Sequence, residues 1–238
     1  MTISDKTVLV TGANRGIGRA LVEEALDRGA RRVYACARRA VPHSNPRVTV
    51  LQLDVTDAQQ IHDAVAHVDS LDILVNNAGV AVYDDLSDRA VIEEHLAVNL
   101  LGTHAVTQAF LPLLLRSRGA IVNNLSLNAL APLPVIPAYS ISKAAAFNLT
   151  QSQRALLDDQ GVRVHAVLTG PVDTDMSRGV DIPKASPESV ARAIFDGVVE
   201  GHEDIFPDPM SRSIAQKWGS GAGKALERQY AVALTGSL

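Results

Sequence analysis

A short apolar run, Thr7–Val10, leads directly into the turn Thr11-Gly12-Ala13-Asn14-Arg15-Gly16-Ile17-Gly18. A helical pattern continues to Arg28, Gly29 closes it, and a second apolar run fills Arg32–Ala37. Strand, glycine-rich turn, helix and strand within about 30 residues make a βαβ unit. That unit constrains the chain more than any other stretch, because two parallel strands need a crossover and leave sheet edges for further strands. Glycines let backbone approach a pyrophosphate, and a helix N-terminus offers free N–H groups and the positive end of a dipole. Three glycines could also serve only a tight turn; their place between strand end and helix start is what points to a dinucleotide.

The same alternation runs on. Strands are expected at Val48–Leu53, Asp72–Val75, Gly119–Val122, Val162–Leu168 and Asp204–Phe206. Helices are expected at Ala58–Val68, Leu86–Leu101, Gly102–Arg116 (with Pro112 inside), from Tyr139 through Leu157, and at Pro187–Glu200 after an N-cap at Ser186. Ser211–Trp218 and Lys224–Ala233 suggest terminal helices, and the Gly219–Gly223 break leaves the order of this tail open. The pattern predicts one α/β domain over residues 1–238: a Rossmann-type, doubly wound parallel sheet of about seven strands with helices on both faces.

Composition narrows the function classes. Apolar residues are 47% of 238, enough for a sizeable core, and a net charge of −4 gives no basic field for nucleic acid or an anionic membrane. Cys36 is a lone cysteine in an apolar run and reads as a small buried residue. No ligand-spaced cluster of histidine, cysteine or carboxylate appears, so no metal is expected. Met1–Lys6 is short and polar and no run of 18 apolar residues occurs, which reads as a soluble, cytoplasmic protein.

Tyr139 and Lys143 stand four apart at the start of a helix and so share one face. An ammonium beside a phenol favours phenolate and would draw its pKa down from about 10 toward the working range of an acid–base catalyst. Alone, this spacing reads as a solvated pair.

The turn Thr-Gly-x-x-x-Gly-Ile-Gly resembles the cofactor loop of the short-chain dehydrogenase/reductase family, and further motifs follow in the family's order. The resemblance implies that Gly12, Asn14, Arg15, Gly16, Ile17 and Gly18 hold the cofactor, with Asp54 and Val55 at the adenine. Asn76-Asn77-Ala78-Gly79 resembles the family's turn after the fourth strand, with Ala78 and Gly79 lining the cofactor and the asparagines mainly structural. Ser126 precedes Tyr139 by 13 residues, the family spacing between the serine that orients a carbonyl and the tyrosine that protonates it. The resemblance further implies that Lys143 sets the tyrosine pKa and binds the nicotinamide ribose, and that Asn99 holds a relay water. Asn99 also reads as a buried amide on a kinked helix. Gly170, Val172 and Thr174 match positions passing the nicotinamide. Three positions depart from the pattern: Leu125 replaces a frequent serine, His165 an asparagine, and Thr169 a proline, which leaves the backbone there less fixed.

The end of the second strand bears on cofactor choice. Ala37 replaces the acid that would accept from ribose hydroxyls and repel a 2′-phosphate, and Arg38 and Arg39 follow. Arg15 and Arg38 suit a 2′-phosphate clamp, with Arg39 solvated. The reading is an NADP(H)-dependent oxidoreductase acting between nicotinamide C4 and a small-molecule carbonyl or secondary alcohol. Its alternatives are an NAD-dependent alcohol dehydrogenase on the same fold and a cofactor-sensing binding protein without catalysis. The lid segment Asp175–Lys184 is unspecific; Met176 and Val180 could face a substrate or simply lie on a surface loop. His95 and His104 read as surface or interface residues. By resemblance, a homodimer or homotetramer is expected through Leu86–Arg116 and Tyr139–Asp159.

Overall fold

A computed structural model describes residues 1–179 and 181–232. Val180 and Ala233, both invoked above, lie outside the described residues. Among the described residues, seven strands form: β1 (Thr7–Thr11), β2 (Arg32–Ala37), β3 (Val48–Gln52), β4 (Ile73–Asn76), β5 (Ala120–Asn124), β6 (Arg163–Val167) and β7 (Asp204–Ile205). They form one parallel sheet in the order β3-β2-β1-β4-β5-β6-β7. The order reverses beside β1, and such a switch point is where an open α/β sheet leaves a crevice at its carboxyl edge.

The helices are α1 (Gly16–Asp27), α2 (Ala58–Ala66), α3 (Arg89–Leu96), α4 (Thr103–Ser117), α5 (Pro137–Leu157), α6 (Pro187–Glu200), α7 (Pro209–Gly219) and α8 (Ala222–Val232). Strand residues alternate between two apolar layers, as a period of two demands. Val8, Val10, Val33, Ile73, Val75 and Val122 pack with α1 and α6. Leu9, Cys36, Leu74, Ile121 and Val164 pack under α2 and α4. Burial on both faces explains why the strands read as continuous apolar runs. Cys36 is buried, and burial pushes its thiol up to about 12.

Two expectations about helices need correction. Leu86 does not begin a helix: its φ of +66° is left-handed, and Asp88 caps α3 by accepting from Ala90 N–H. The expected separate helices ending at Leu101 and starting at Gly102 are one run, Arg89–Ser117, joined by a π-helical turn at Ala97–Gly102. A methyl group on Gly102 would stand 2.6 Å from Val55 Cγ2, so this turn presses against the segment after β3. The run has the length and mean hydropathy, 1.3, of a membrane span. Its apolar character is that of a core helix, for Val106, Phe110, Leu113 and Leu114 are buried against the sheet.

The two suggested terminal helices are present as α7 and α8. Only Ser220 and Gly221 separate α7 from α8. Both helices are docked by charge: Lys224 Nζ lies 2.7 Å from Glu203, 2.9 Å from Asp204 and 3.0 Å from Glu227. Arg154 of α5 pairs with Asp204 at 2.8 Å and with Glu227, and Trp218 Nε1 donates to Asp204.

Candidate active site

The glycine turn is built by close approach. Gly12 and Gly16 have φ of +64° and +51°, in the left-handed region that favours glycine. A Cβ on Gly18 would fall 2.1 Å from the Gly12 carbonyl oxygen. Arg15 sits at the N-cap of α1 with no side-chain cap, and the first turn carries no acid. That turn therefore keeps its N–H groups for an anion from outside, which fits the pyrophosphate of a dinucleotide. Thr174 closes the turn from the lid side, its Cγ2 lying 3.1 Å from a Cβ built on Gly16.

A chain of side-chain amides ties the carboxyl ends of four strands together. Asn77 Nδ2 donates to the carbonyls of Thr11 and Gly12, its Oδ1 accepts from Asn124 Nδ2, and Asn124 Oδ1 accepts from Thr169 Oγ1. Asn76 and Asn123 make a parallel set, reaching Thr107, Thr150 and Gln153. The asparagines after β4 are structural, as expected. Thr169 does not loosen its strand end: its hydroxyl is bonded, its carbonyl accepts from Leu127 N–H, and Gly170 N–H donates to Asp208 Oδ2 at 2.7 Å. The side chain of Asp208, almost fully buried at the N-cap of α7, takes over the fixing role a proline ring would have played.

Tyr139 and Lys143 lie in the first two turns of α5, whose N1 position is Pro137. Both are buried, at 9% and 5% exposure, which rejects the solvated-pair alternative. Lys143 Nζ donates to Asn124 C=O at 2.8 Å and stands 5.6 Å from the Tyr139 ring centre. Burial brings Lys143 down to about 8, and pushes the Tyr139 phenol up to about 12 while the Ser126 hydroxyl beside it pulls the other way. Among the protein's own groups, burial dominates the phenol's surroundings and only the Ser126 hydroxyl draws it down. Ser126 caps a short 3₁₀ turn by accepting from Asn128 N–H, which fixes its hydroxyl at the end of β5.

Asn99 lies in the π-helical turn. Its amide accepts from Val80 N–H and donates to Val80 C=O and to Ser142 Oγ. A methyl on Gly79 would stand 3.2 Å from Asn99 Oδ1 and 3.7 Å from Lys143 Nζ, so Gly79 faces the space between them. His95, read from the sequence as a surface or interface residue, is fully buried and packs edge-on to Tyr139, 6.3 Å between ring centres. A lone histidine within a polar helix gives no signal of this. His104 is exposed, as expected.

The remaining predicted residues occupy the same edge. Asp54 Oδ1 accepts from the Thr56 N–H and hydroxyl while Asp57 caps α2, and Val55 is buried. Val172 forms a bridge to Ala185 that closes the lid base. Arg15 is turned toward the lid, 3.2 Å from Asp175, whereas Arg38 is exposed beyond β2 and pairs with no carboxylate among the described residues. Of the two arginines of the expected clamp, Arg15 is thus engaged by a lid carboxylate.

Residues 6–184 match the family model for short chain dehydrogenases. Over 199 residues the chain is 36% identical to mouse estradiol 17-beta-dehydrogenase 2, covering 76% of this chain and 52% of that enzyme. The chain spans about half the length of the mouse and rat enzymes of that name. An uncharacterised oxidoreductase of Staphylococcus epidermidis is 32% identical over 209 residues, 83% of this chain and 90% of its own. A crystal structure of a short chain dehydrogenase from Burkholderia cenocepacia, in complex with NADP, superposes with a TM-score of 0.88 at 35% identity, covering 96% of this chain and 98% of that one. With its glycine turn, its buried tyrosine and lysine, and a fold matched almost end to end, the chain belongs to the short-chain dehydrogenase/reductase family of nicotinamide-dependent oxidoreductases.

Proposed function

We propose that the protein is an NADP(H)-dependent carbonyl reductase and alcohol dehydrogenase, with Tyr139 as general acid in reduction and general base in oxidation. The observation that carries this reading is the burial of Tyr139 and Lys143 beside Ser126, with no carboxylate neutralising the lysine among the described residues. A bound nicotinamide supplies or accepts the hydride at the carbonyl carbon. Ser126 donates to the substrate oxygen and fixes its direction toward the phenol. Tyr139 Oη delivers its proton to that oxygen as negative charge develops there. Lys143 stands close enough to favour the phenolate left behind and to bind a ribose hydroxyl. Asn99 holds the Gly79–Val80 wall and supports a water leading to Lys143.

Preference for NADP rests on Ala37, which offers no acid at the end of β2, and on the exposed Arg38 beyond it, which pairs with no carboxylate among the described residues. The Burkholderia relative was crystallised with NADP. Arg15 completes the clamp if it leaves Asp175, an exchange open to an exposed pair. The NAD-dependent alternative draws on that same ion pair, which holds one of the two arginines elsewhere. Steady-state kcat/KM with NADPH and NADH over a panel of carbonyl substrates decides between them. NADPH is expected to be preferred by at least about tenfold, the effect of one good charge-assisted contact; parity or a preference for NADH would end the NADP reading. A dimer or tetramer through the Arg89–Ser117 run and α5 accords with their exposed apolar residues, Leu101 in the π-helical turn and Ile141 and Leu156 on α5.

A further inference from the structure

His95 is the sole buried residue of α3, and its ring is wholly withdrawn from solvent. Nδ1 lies 2.7 Å from the carbonyl oxygen of Val91, one turn earlier. A carbonyl only accepts, so Nδ1 carries the proton and Nε2 is bare. Nε2 accordingly accepts from the Val82 N–H at 3.1 Å. Four residues on, and so on the same helical face, Asn99 holds Val80 by both its N–H and its C=O.

Alternate residues of the segment after β4 are thus held by one helical run. The segment's next alternate residue is Asp84, whose carboxylate accepts from Ala138 N–H at 3.2 Å. Ala138 precedes Tyr139 in the first turn of α5. The strap from Gly79 to Asp84 therefore starts at the wall facing Lys143 and ends on the backbone that carries the tyrosine. Between those ends, the edge of the His95 ring meets Tyr139 at an interplanar angle of 73°. Lys143 Nζ is also set against the phenol ring, 5.6 Å from its centre.

We infer that His95 is a positioning residue for Tyr139. In its neutral, Nδ1-protonated form it fixes Val82 and packs the phenol ring, so that the proton donor and the wall opposite it hold one geometry. It is not a second base, because both ring nitrogens are engaged with backbone. Protonation of Nε2 would convert an acceptor into a donor facing the Val82 N–H and break the tie. The inference rests on the reductase reading for its effect on turnover, but the tie itself is independent of chemistry.

The experiment compares His95→Leu, His95→Asn and His95→Gln. Glutamine reaches far enough to offer Val82 an acceptor; asparagine keeps only the Val91 side, and leucine keeps neither. Hydrogen exchange followed by mass spectrometry reads peptides spanning 79–86, and steady-state kinetics reads kcat and the KM for NADPH. His95→Leu and His95→Asn are expected to speed exchange in that segment and lower kcat about tenfold or more, with KM for NADPH unchanged. His95→Gln is expected to recover both. Should the leucine variant fail to fold, the asparagine–glutamine contrast decides. Wild-type exchange and kcat in the asparagine variant, or equal losses in asparagine and glutamine, would overturn the inference. A wild-type chain that never turns over a carbonyl would remove the reductase reading, and with it the catalytic role of His95, while the exchange contrast still judges the tie.

Discussion

Two lysines in this fold are buried to nearly the same degree, Lys143 at 5% exposure and Lys224 at 3%. Their surroundings are opposite. Lys224 is held by Glu203, Asp204 and Glu227, and these carboxylates outweigh burial and keep its pKa above the usual lysine value. Lys143 has one carbonyl, Asn124 C=O, and burial lowers it to about 8. The first is a latch: a cation matched by acids joins α8 to β7. The second is poised: a cation kept dry without a counter-charge is available to whatever negative charge the site develops. Burial alone therefore says little about a charged side chain; the count of opposite charges around it says what it is for.

The largest expected break in this comparison comes at the poised pair. Tyr139→Phe and Lys143→Met should each lower kcat by a factor on the order of 10³, as loss of a general acid or of the group supporting it does. Thermal melting should be unchanged or slightly raised in Lys143→Met, because that change strands no acid. NADPH consumption alongside differential scanning calorimetry reads both, and near-wild-type turnover in Tyr139→Phe would remove that residue from the mechanism. Next comes the latch. Lys224→Met leaves three carboxylates facing Arg154 alone and should destabilise the fold by about 3 kcal/mol, the scale for breaking a buried ion pair. Turnover per folded molecule should hardly change. A urea midpoint equal to wild type would show that the latch contributes nothing.

The finest distinction is in pH. Unfolded Lys143 keeps its proton to its ordinary 10.5, whereas the folded protein, without added cofactor, releases it near 8. The unfolded state binds more protons in that window, so stability should rise with pH above 8, by at most about 3 kcal/mol. Lys224 works with the opposite sign: its raised folded pKa stabilises below 10.5, and that contribution is lost as pH climbs through the folded value. Tyr139, raised from 10 to about 12, likewise opposes the rise once pH passes 10. Denaturation at several pH values between about 7.5 and 10 should show a rise in the wild type that flattens in Lys143→Met. A wild-type profile already flat over that range would contradict a dry, uncompensated Lys143.

Much of this was legible in the chain. The βαβ unit and the parallel seven-stranded sheet were readable because they rest on local periodicity, and Ser126, Tyr139 and Lys143 were singled out by their motif spacing. The two terminal helices were readable, but how they dock was not, because the Arg154 and Asp204 that hold them lie on other elements. His95 escaped for the same reason: its partners, Val82 and Tyr139, lie on other elements. The doublets Asn76-Asn77 and Asn123-Asn124 were visible, but that they stand side by side needed the register of β4 on β5, where Asn76 pairs with Asn123.

By itself, then, the sequence determined the layered fold and the glycine turn and put forward the candidate groups of the site, since these follow from hydrophobic period, glycine geometry and motif spacing. The tertiary structure decided the electrical state of those groups. Whether a lysine is poised or latched, and whether a phenol sits above or below its ordinary pKa, depends on which charges and how much water surround it. Those surroundings are assembled from residues far apart in the chain: Asn124 for one lysine, and Glu203, Asp204 and Glu227 for the other.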